Sequence, residues 1–62
     1  MREEHKKELE KAFQGLYEAA YKVNQITDDD DYEQFADLLD ASANITSEFA
    51  NLGIVEDGVV TL

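Results

Sequence analysis

Apolar residues recur along the first part of this chain at alternating steps of four and three positions. The residues of this repeat are Leu9, Phe13, Leu16, Ala20 and Val23. An α-helix turns once every 3.6 residues, so this spacing places the set on one face of a helix. No proline interrupts the chain. The pattern therefore predicts an amphipathic first helix over about residues 3 to 25.

A second repeat with the same spacing follows after a short polar break. Its members are Phe35, Leu38, Ser42, Ile45, Phe49 and Leu52. Gly53 comes directly after the last of them, and glycine is the residue favoured just past the end of a helix. We therefore predict a second helix over about residues 29 to 52.

The start of the second helix is indicated by a run of four aspartates, residues 28 to 31. Short polar side chains cap the free N–H groups of a helix N-terminus, and carboxylates there face the positive end of the helix dipole. Thr27 or Asp28 is the expected N-cap. Asp30 and Glu33 have the spacing of a capping box.

The connection between the two predicted helices is about three to five residues long, which makes them antiparallel neighbours. We expect an all-α fold in which residues 1–53 form an antiparallel helical hairpin. Residues 54–62 differ in character, because β-branched residues flank a turn that contains Gly58. This pattern favours an extended or β-hairpin tail.

The apolar surface of the second helix is wider than one partner helix can cover. Its apolar and small positions span about 200° of the helix circumference. A chain of 62 residues without cysteine is also short of stabilising interactions as a monomer. We therefore expect a homodimer that forms a four-helix bundle. The predicted oligomer core contains Leu9, Phe13, Leu16, Val23, Phe35, Leu38, Ile45 and Phe49.

In length, layout and the glycine that ends its second helix, the chain resembles helical hairpins that dimerise into four-helix bundles. The resemblance implies a fold. It implies no function, because one fold serves many functions.

The charges are divided unevenly along the chain. All five basic residues lie in the first 22 positions, whereas residues 23–62 contain ten carboxylates and no basic side chain, and the net charge is −10. Such a field repels nucleic acids and anionic membranes and attracts basic protein surfaces. We therefore expect a protein partner with a basic surface and no direct binding to nucleic acid or membrane.

The charged N-terminal residues lead into no unbroken apolar run, so the sequence predicts no signal peptide and no membrane span. The expected location is the cytoplasm.

Carboxylates are concentrated on one side of the predicted second helix. Glu33, Asp37 and Asp40 lie within about 60° on the helical wheel and about 6 Å and 4.5 Å apart along the axis. A DNA strand carries one phosphate per about 3.4 Å. This row could imitate nucleic acid, or it could be an ordinary solubilising surface. The predicted acidic face comprises Asp28, Asp29, Asp30, Asp31, Glu33, Asp37 and Asp40.

Three aromatic side chains lie outside the main repeats. Tyr17 and Tyr21 are one turn apart at the edge of the first helix's apolar stripe, where they could anchor a partner or cover the chain's own core. Tyr32 is expected to close the end of the bundle. Gly15 costs about 1 kcal/mol inside a helix, and either a close helix contact or a tolerated surface position accounts for it.

Nothing in the sequence indicates an enzyme, a defined metal site or a cofactor, although the clustered carboxylates leave weak, unselective association of Mg²⁺ or Ca²⁺ open as a third possibility. The chain has one histidine and no cysteine, so nucleophilic triads and zinc sites have no basis. The aspartate run also departs from the calcium-binding loop pattern. Counted from Asp28, Glu33 stands where the turn glycine belongs and Leu39 where the bidentate glutamate belongs.

Two functional hypotheses follow from these patterns. The first is a small acidic, non-enzymatic binding module, of the inhibitor type often made by phages or mobile elements, that docks on a nucleic-acid-binding surface of another protein. The second is a structural or regulatory homo-oligomeric adaptor whose acidic face only keeps it in solution. In that case partner contacts would use Tyr17, Tyr21 or strand addition at residues 59–62.

Overall fold

A computed structural model describes residues 2–62. It contains two long helices and a two-stranded antiparallel sheet. The elements are α1 (Glu3–Ile26), α2 (Asp29–Leu52), β1 (Val55–Glu56) and β2 (Val59–Val60). The predicted helical hairpin with a β-prone tail is confirmed, and the tail takes the β-hairpin form.

Helix α2 begins with a capping box made by two aspartates. The Asp28 side chain accepts a hydrogen bond from the Asp31 N–H at 3.0 Å, and the Asp31 carboxylate accepts one from the Asp28 N–H at 3.3 Å. The alternative box at Asp30 and Glu33 is wrong, because the helix begins two residues earlier than that pair requires. Thr27 ends α1 instead, and its hydroxyl donates to the Val23 carbonyl.

Helix α2 ends at Gly53, whose backbone is left-handed at φ 68 and ψ 27. The Gly53 N–H donates to the Ala50 carbonyl at 3.1 Å. A residue with a Cβ atom is strained in this conformation, so glycine both ends the helix and lets the chain turn back along it.

The packed core between the helices is centred on Phe49. Its ring meets Phe13 and Tyr17 edge to face, with ring centroids 5.7 Å and 5.4 Å apart. Such aromatic pairs add about 0.5–1.5 kcal/mol each beyond the area that they bury. Only Ala20, Phe49 and Val60 are buried among residues 2–62. The core of the single chain is therefore small and lies towards the open end of the hairpin.

The tail is a tight β-hairpin in which Val55 faces Val60 and Glu56 faces Val59. Its two turn residues, Asp57 and Gly58, have φ values of 54 and 81. Positive φ at both central residues is the geometry of the turn that matches the twist of paired strands.

Side chains of α1 hold the outer edge of β2. The Gln14 amide donates to the Gly58 carbonyl at 2.8 Å and accepts from the Val60 N–H at 2.7 Å, while Glu10 accepts from the Leu62 N–H at 2.8 Å. One glutamine amide thus supplies the donor and the acceptor that a neighbouring strand would supply. An incoming strand would have to displace these side chains, which argues against the strand addition expected at residues 59–62.

We expect Gly15→Ala to raise the free energy of unfolding by about 1 kcal/mol, because alanine is the better helix former. Gly15 is exposed, and a Cβ atom built there meets nothing within 4 Å, so the chain's own fold leaves it a tolerated surface position. Thermal unfolding followed by circular dichroism measures the change. Gly53→Ala, also free of contacts but left-handed, should lower stability by about 1 kcal/mol. Destabilisation by Gly15→Ala would contradict the open environment.

We expect Gln14→Ala to release the β-hairpin from α1. The substitution leaves the Gly58 carbonyl and the Val60 N–H without their partner, which costs about 1–3 kcal/mol. Hydrogen exchange measured by NMR should show the Val60 amide losing protection. Gln25→Ala removes an exposed glutamine from the same helix and serves as the control. Unchanged Val60 exchange in Gln14→Ala would show that other contacts hold the hairpin.

Candidate acidic face and apolar grooves

The predicted acidic face lies on α2 and on its N-cap. Its carboxylates are exposed to solvent except for that of Asp31, which is half-buried. Two members have a structural role, because Asp28 and Asp31 form the capping box. Asp29 and Asp30 occupy the first turn of α2, where their charges oppose the positive end of the helix dipole.

A tyrosine joins the acidic face at a kink in α2. The backbone at Phe35 leaves helical geometry, with φ −127 and ψ 32. The Tyr32 hydroxyl donates to Asp40 Oδ1 at 3.1 Å. Residues eight positions apart in a straight helix are separated by about 12 Å along the axis, so this bond spans the kink. Tyr32 is 49% exposed beside the carboxylates, so the single chain leaves its ring partly uncovered.

The carboxylates change the acidity of this tyrosine. The hydrogen bond to Asp40 raises the pKa of Tyr32 above its ordinary value of 10.0, and the negative charges of Asp40 and Asp37 act in the same direction. Ionised Tyr32 would lose its donor proton and repel both carboxylates. The contact therefore persists while Tyr32 is neutral.

The acidic row is not purely polar. Glu33 and Asp37 border a shallow depression of about 340 Å³ that Phe35 and Leu38 also line. Phe35 is 50% exposed and Leu38 69% exposed. An apolar contact thus lies beside the charges. Both residues belong to the predicted oligomer core, and the single chain leaves them uncovered. The helical spacing gave no sign of the kink at Phe35.

Tyr17 and Tyr21 have different environments. Tyr17 is half-buried and makes an edge-to-face contact with Phe49, so it covers the chain's own core. Tyr21 stacks on Tyr17 with ring centroids 5.9 Å apart and is 49% exposed. Together with Lys22 and Gly58 they line an open concavity of about 500 Å³ between α1 and the β-hairpin. Tyr21 is the member of the pair that is available to a partner.

The residues predicted for the oligomer core do not form one cluster within the chain. Phe49 is buried, and Leu9, Phe13, Val23 and Ile45 are half-buried. The other three, Leu16, Phe35 and Leu38, are exposed by 43%, 50% and 69%. The chain's own core therefore accounts for part of the set only.

Two grooves between α1 and α2 contain most of the exposed apolar residues. The first, of about 280 Å³, is lined by Phe13, Leu16, Asn44, Ile45, Glu48, Phe49, Leu52 and Ile54. The second, of about 410 Å³, lies towards the turn between the helices and is lined by Val23, Ile26, Thr27, Asp31, Phe35, Leu38, Leu39 and Ser42. Leu52 and Ile26 are 68% and 69% exposed. Large apolar side chains left in water along a groove are typical of contact surfaces.

Residues 2–62 contain no helix that is long and apolar enough to cross a membrane. Within the same part of the chain, no three or more histidine, cysteine, aspartate or glutamate side chains are placed together so that they could hold a metal ion.

No family model, curated protein or solved structure matches this chain. The acidic face and the two apolar grooves are the surfaces that residues 2–62 offer to a partner.

We expect Asp40→Asn to lower the pKa of Tyr32 towards its ordinary value, because the substitution removes the charge that disfavours tyrosinate. Absorbance at high pH measures this in a Tyr17→Phe, Tyr21→Phe background, where Tyr32 is the one tyrosine left. The raised pKa also means that the stabilisation from this contact is complete below pH 10 and disappears as pH rises through the folded-state pKa. Asp29→Asn is the control, and an equal shift from it would contradict a local contact.

Proposed function

We propose that this protein is a small acidic, non-enzymatic binding module that docks on a basic surface of another protein, where nucleic acid would otherwise bind. One observation carries the proposal. Helix α2 presents an exposed row of carboxylates and contains seven acidic residues and no basic residue. The field of this helix is therefore negative along its whole length and attracts a basic groove over several ångströms.

The acidic face has a spacing and a rigidity that suit this role. Asp37 and Asp40 follow one side of α2 beyond the kink at Phe35, about 4.5 Å apart along the axis, which is comparable to the phosphate spacing of DNA, and Glu33 lies just before the kink. The Tyr32 hydroxyl restrains the Asp40 carboxylate. A charge that is already positioned loses less conformational freedom on binding than a mobile one.

An exposed apolar contact beside the carboxylates adds to the binding that the charges provide. Charge complementarity chiefly sets the rate and the specificity of association. Phe35 is 50% exposed next to Glu33 and Asp37, so a partner can also bury apolar area. Occupying a basic groove in this way would exclude nucleic acid, which is how a module without catalytic residues can act as an inhibitor.

A second candidate is a structural or regulatory homo-oligomeric adaptor, in which two hairpins form a four-helix bundle. The exposure of Leu16, Ile26, Leu38 and Leu52 favours it. The two functions are compatible, because dimerisation through apolar grooves leaves the outward carboxylates of α2 free.

The triple variant Glu33→Gln, Asp37→Asn, Asp40→Asn tests the first function. Immobilised wild-type protein should capture basic proteins from a whole-cell extract at low salt and release them at high salt or on addition of excess duplex DNA. The triple variant should retain at least tenfold less of the same proteins, measured by quantitative mass spectrometry.

A matched variant separates position from net charge. Glu3→Gln, Glu4→Gln, Glu8→Gln removes the same three charges from exposed positions of α1. It should capture its partners nearly as well as the wild type. Equal loss in both triple variants would show that only net charge matters, and full retention by the α2 variant would refute docking through the acidic face.

A further inference from the structure

We infer that one face of the hairpin is an isologous dimer interface in which α1 of each copy packs on α2 of the other. The inferred interface rests on the four-helix bundle of the second candidate function and specifies which surface pairs and which helices meet. The apolar face is defined by three residues on α1 and three on α2: Leu16, Val23, Ile26, Leu38, Ile45 and Leu52.

These residues form continuous stripes on one side of the molecule. Leu38, Ile45 and Leu52 recur every seven residues and lie within about 40° on the helical wheel. Leu16 and Val23 repeat at the same interval on α1. A seven-residue apolar repeat is the pattern by which helices of a bundle interlock their side chains. All six line one of the two grooves between the helices.

The β-hairpin does not cover this face. Gln14, which holds the hairpin, lies about 160–180° around α1 from Leu16 and Val23. The molecule measures 44 × 18 × 15 Å, which corresponds to a single layer of helices. Stable domains have at least two layers around a core, so the uncovered side of this layer lacks its second layer.

The exposed area matches what one copy contributes to a dimer. The chain exposes 5017 Å², whereas a compact monomer of 7.0 kDa exposes about 4,000 Å². The excess is about 1,000 Å², and a stable interface of standard size buries about 800 Å² per partner. A second hairpin of the same length supplies an area of this size with the same seven-residue repeat.

Charge decides how the two hairpins are oriented. Helix α1 carries four lysines and five glutamates, a net charge of −1, whereas α2 carries seven carboxylates and no basic residue. If the twofold axis that relates the two hairpins were perpendicular to the helices, α2 of one copy would lie against α2 of the other. A twofold axis parallel to the helices places α1 on the partner's α2, antiparallel, and keeps the two acidic helices diagonally apart. Coulomb repulsion therefore selects the second arrangement.

Added salt should have opposite effects on dimerisation through this interface and on docking through the acidic face. Two copies of a chain with net charge −10 repel each other, so added salt strengthens the dimer, whereas it weakens docking on a basic partner. Sedimentation equilibrium of the purified protein alone measures the first effect. The dimer can therefore fail without the proposed function failing, and the reverse also holds.

We expect the wild type at about 10–100 μM and high salt to sediment at twice its 7.0 kDa mass, and Leu38→Gln, Leu52→Gln to sediment as a monomer. Both leucines are more than two-thirds exposed, so the variant should keep the helical circular dichroism of the hairpin. Val59→Gln changes an exposed apolar residue on the β-hairpin and should leave the dimer intact. A monomeric wild type, or a double variant that dimerises as the wild type does, would overturn the interface.

The chain has no cysteine, so single cysteines test the helix pairing directly. A mixture of Ala19→Cys and Glu48→Cys should form a mixed disulfide under mild oxidation, because these positions face each other when α1 lies on the partner's α2. Ala41→Cys should remain reduced, because it would meet its own copy only if α2 lay against α2. A self-disulfide of Ala41→Cys without the mixed product would overturn the pairing.

Discussion

The thinness of a two-helix layer governs the rest of this structure. A helix pair can bury the line along which its members touch, and little else. Phe49 fills that line between Phe13 and Tyr17, and only two further residues of the described chain are buried. Every other apolar position is left half-covered or in water. The β-hairpin covers apolar residues on one side of the layer, and the second copy that we infer covers those on the other side.

The acidic residues of α2 have two different roles, which the sequence alone does not distinguish. Asp28 and Asp31 are engaged in starting the helix, and the first-turn aspartates stabilise its N-terminus. Glu33, Asp37 and Asp40 take no part in starting the helix, and the proposed function depends on them. The run of four aspartates is the more conspicuous feature of the sequence, but the later and sparser carboxylates are the ones placed along an exposed row.

Helix positions followed from the sequence because they depend on local rules. The apolar repeat, the aspartates at the start of α2 and Gly53 after its end all act through the backbone of a few neighbouring residues. The kink at Phe35 did not follow, since the spacing of apolar residues is the same in a straight and in a kinked helix. The bond from Tyr32 to Asp40 was missed because straight-helix geometry separates the two residues.

The glutamine that holds the tail limits how this protein can change over time. A side-chain amide offers a donor and an acceptor that point the same way from one planar group, whereas those of a neutral imidazole diverge, and asparagine is one carbon shorter than glutamine. Position 14 therefore has no equivalent replacement, whereas an exposed residue of the β-hairpin such as Val59 pairs through its backbone, so its side chain is free to vary. Descendants of this sequence should retain Gln14 long after the exposed side chains of the β-hairpin have drifted.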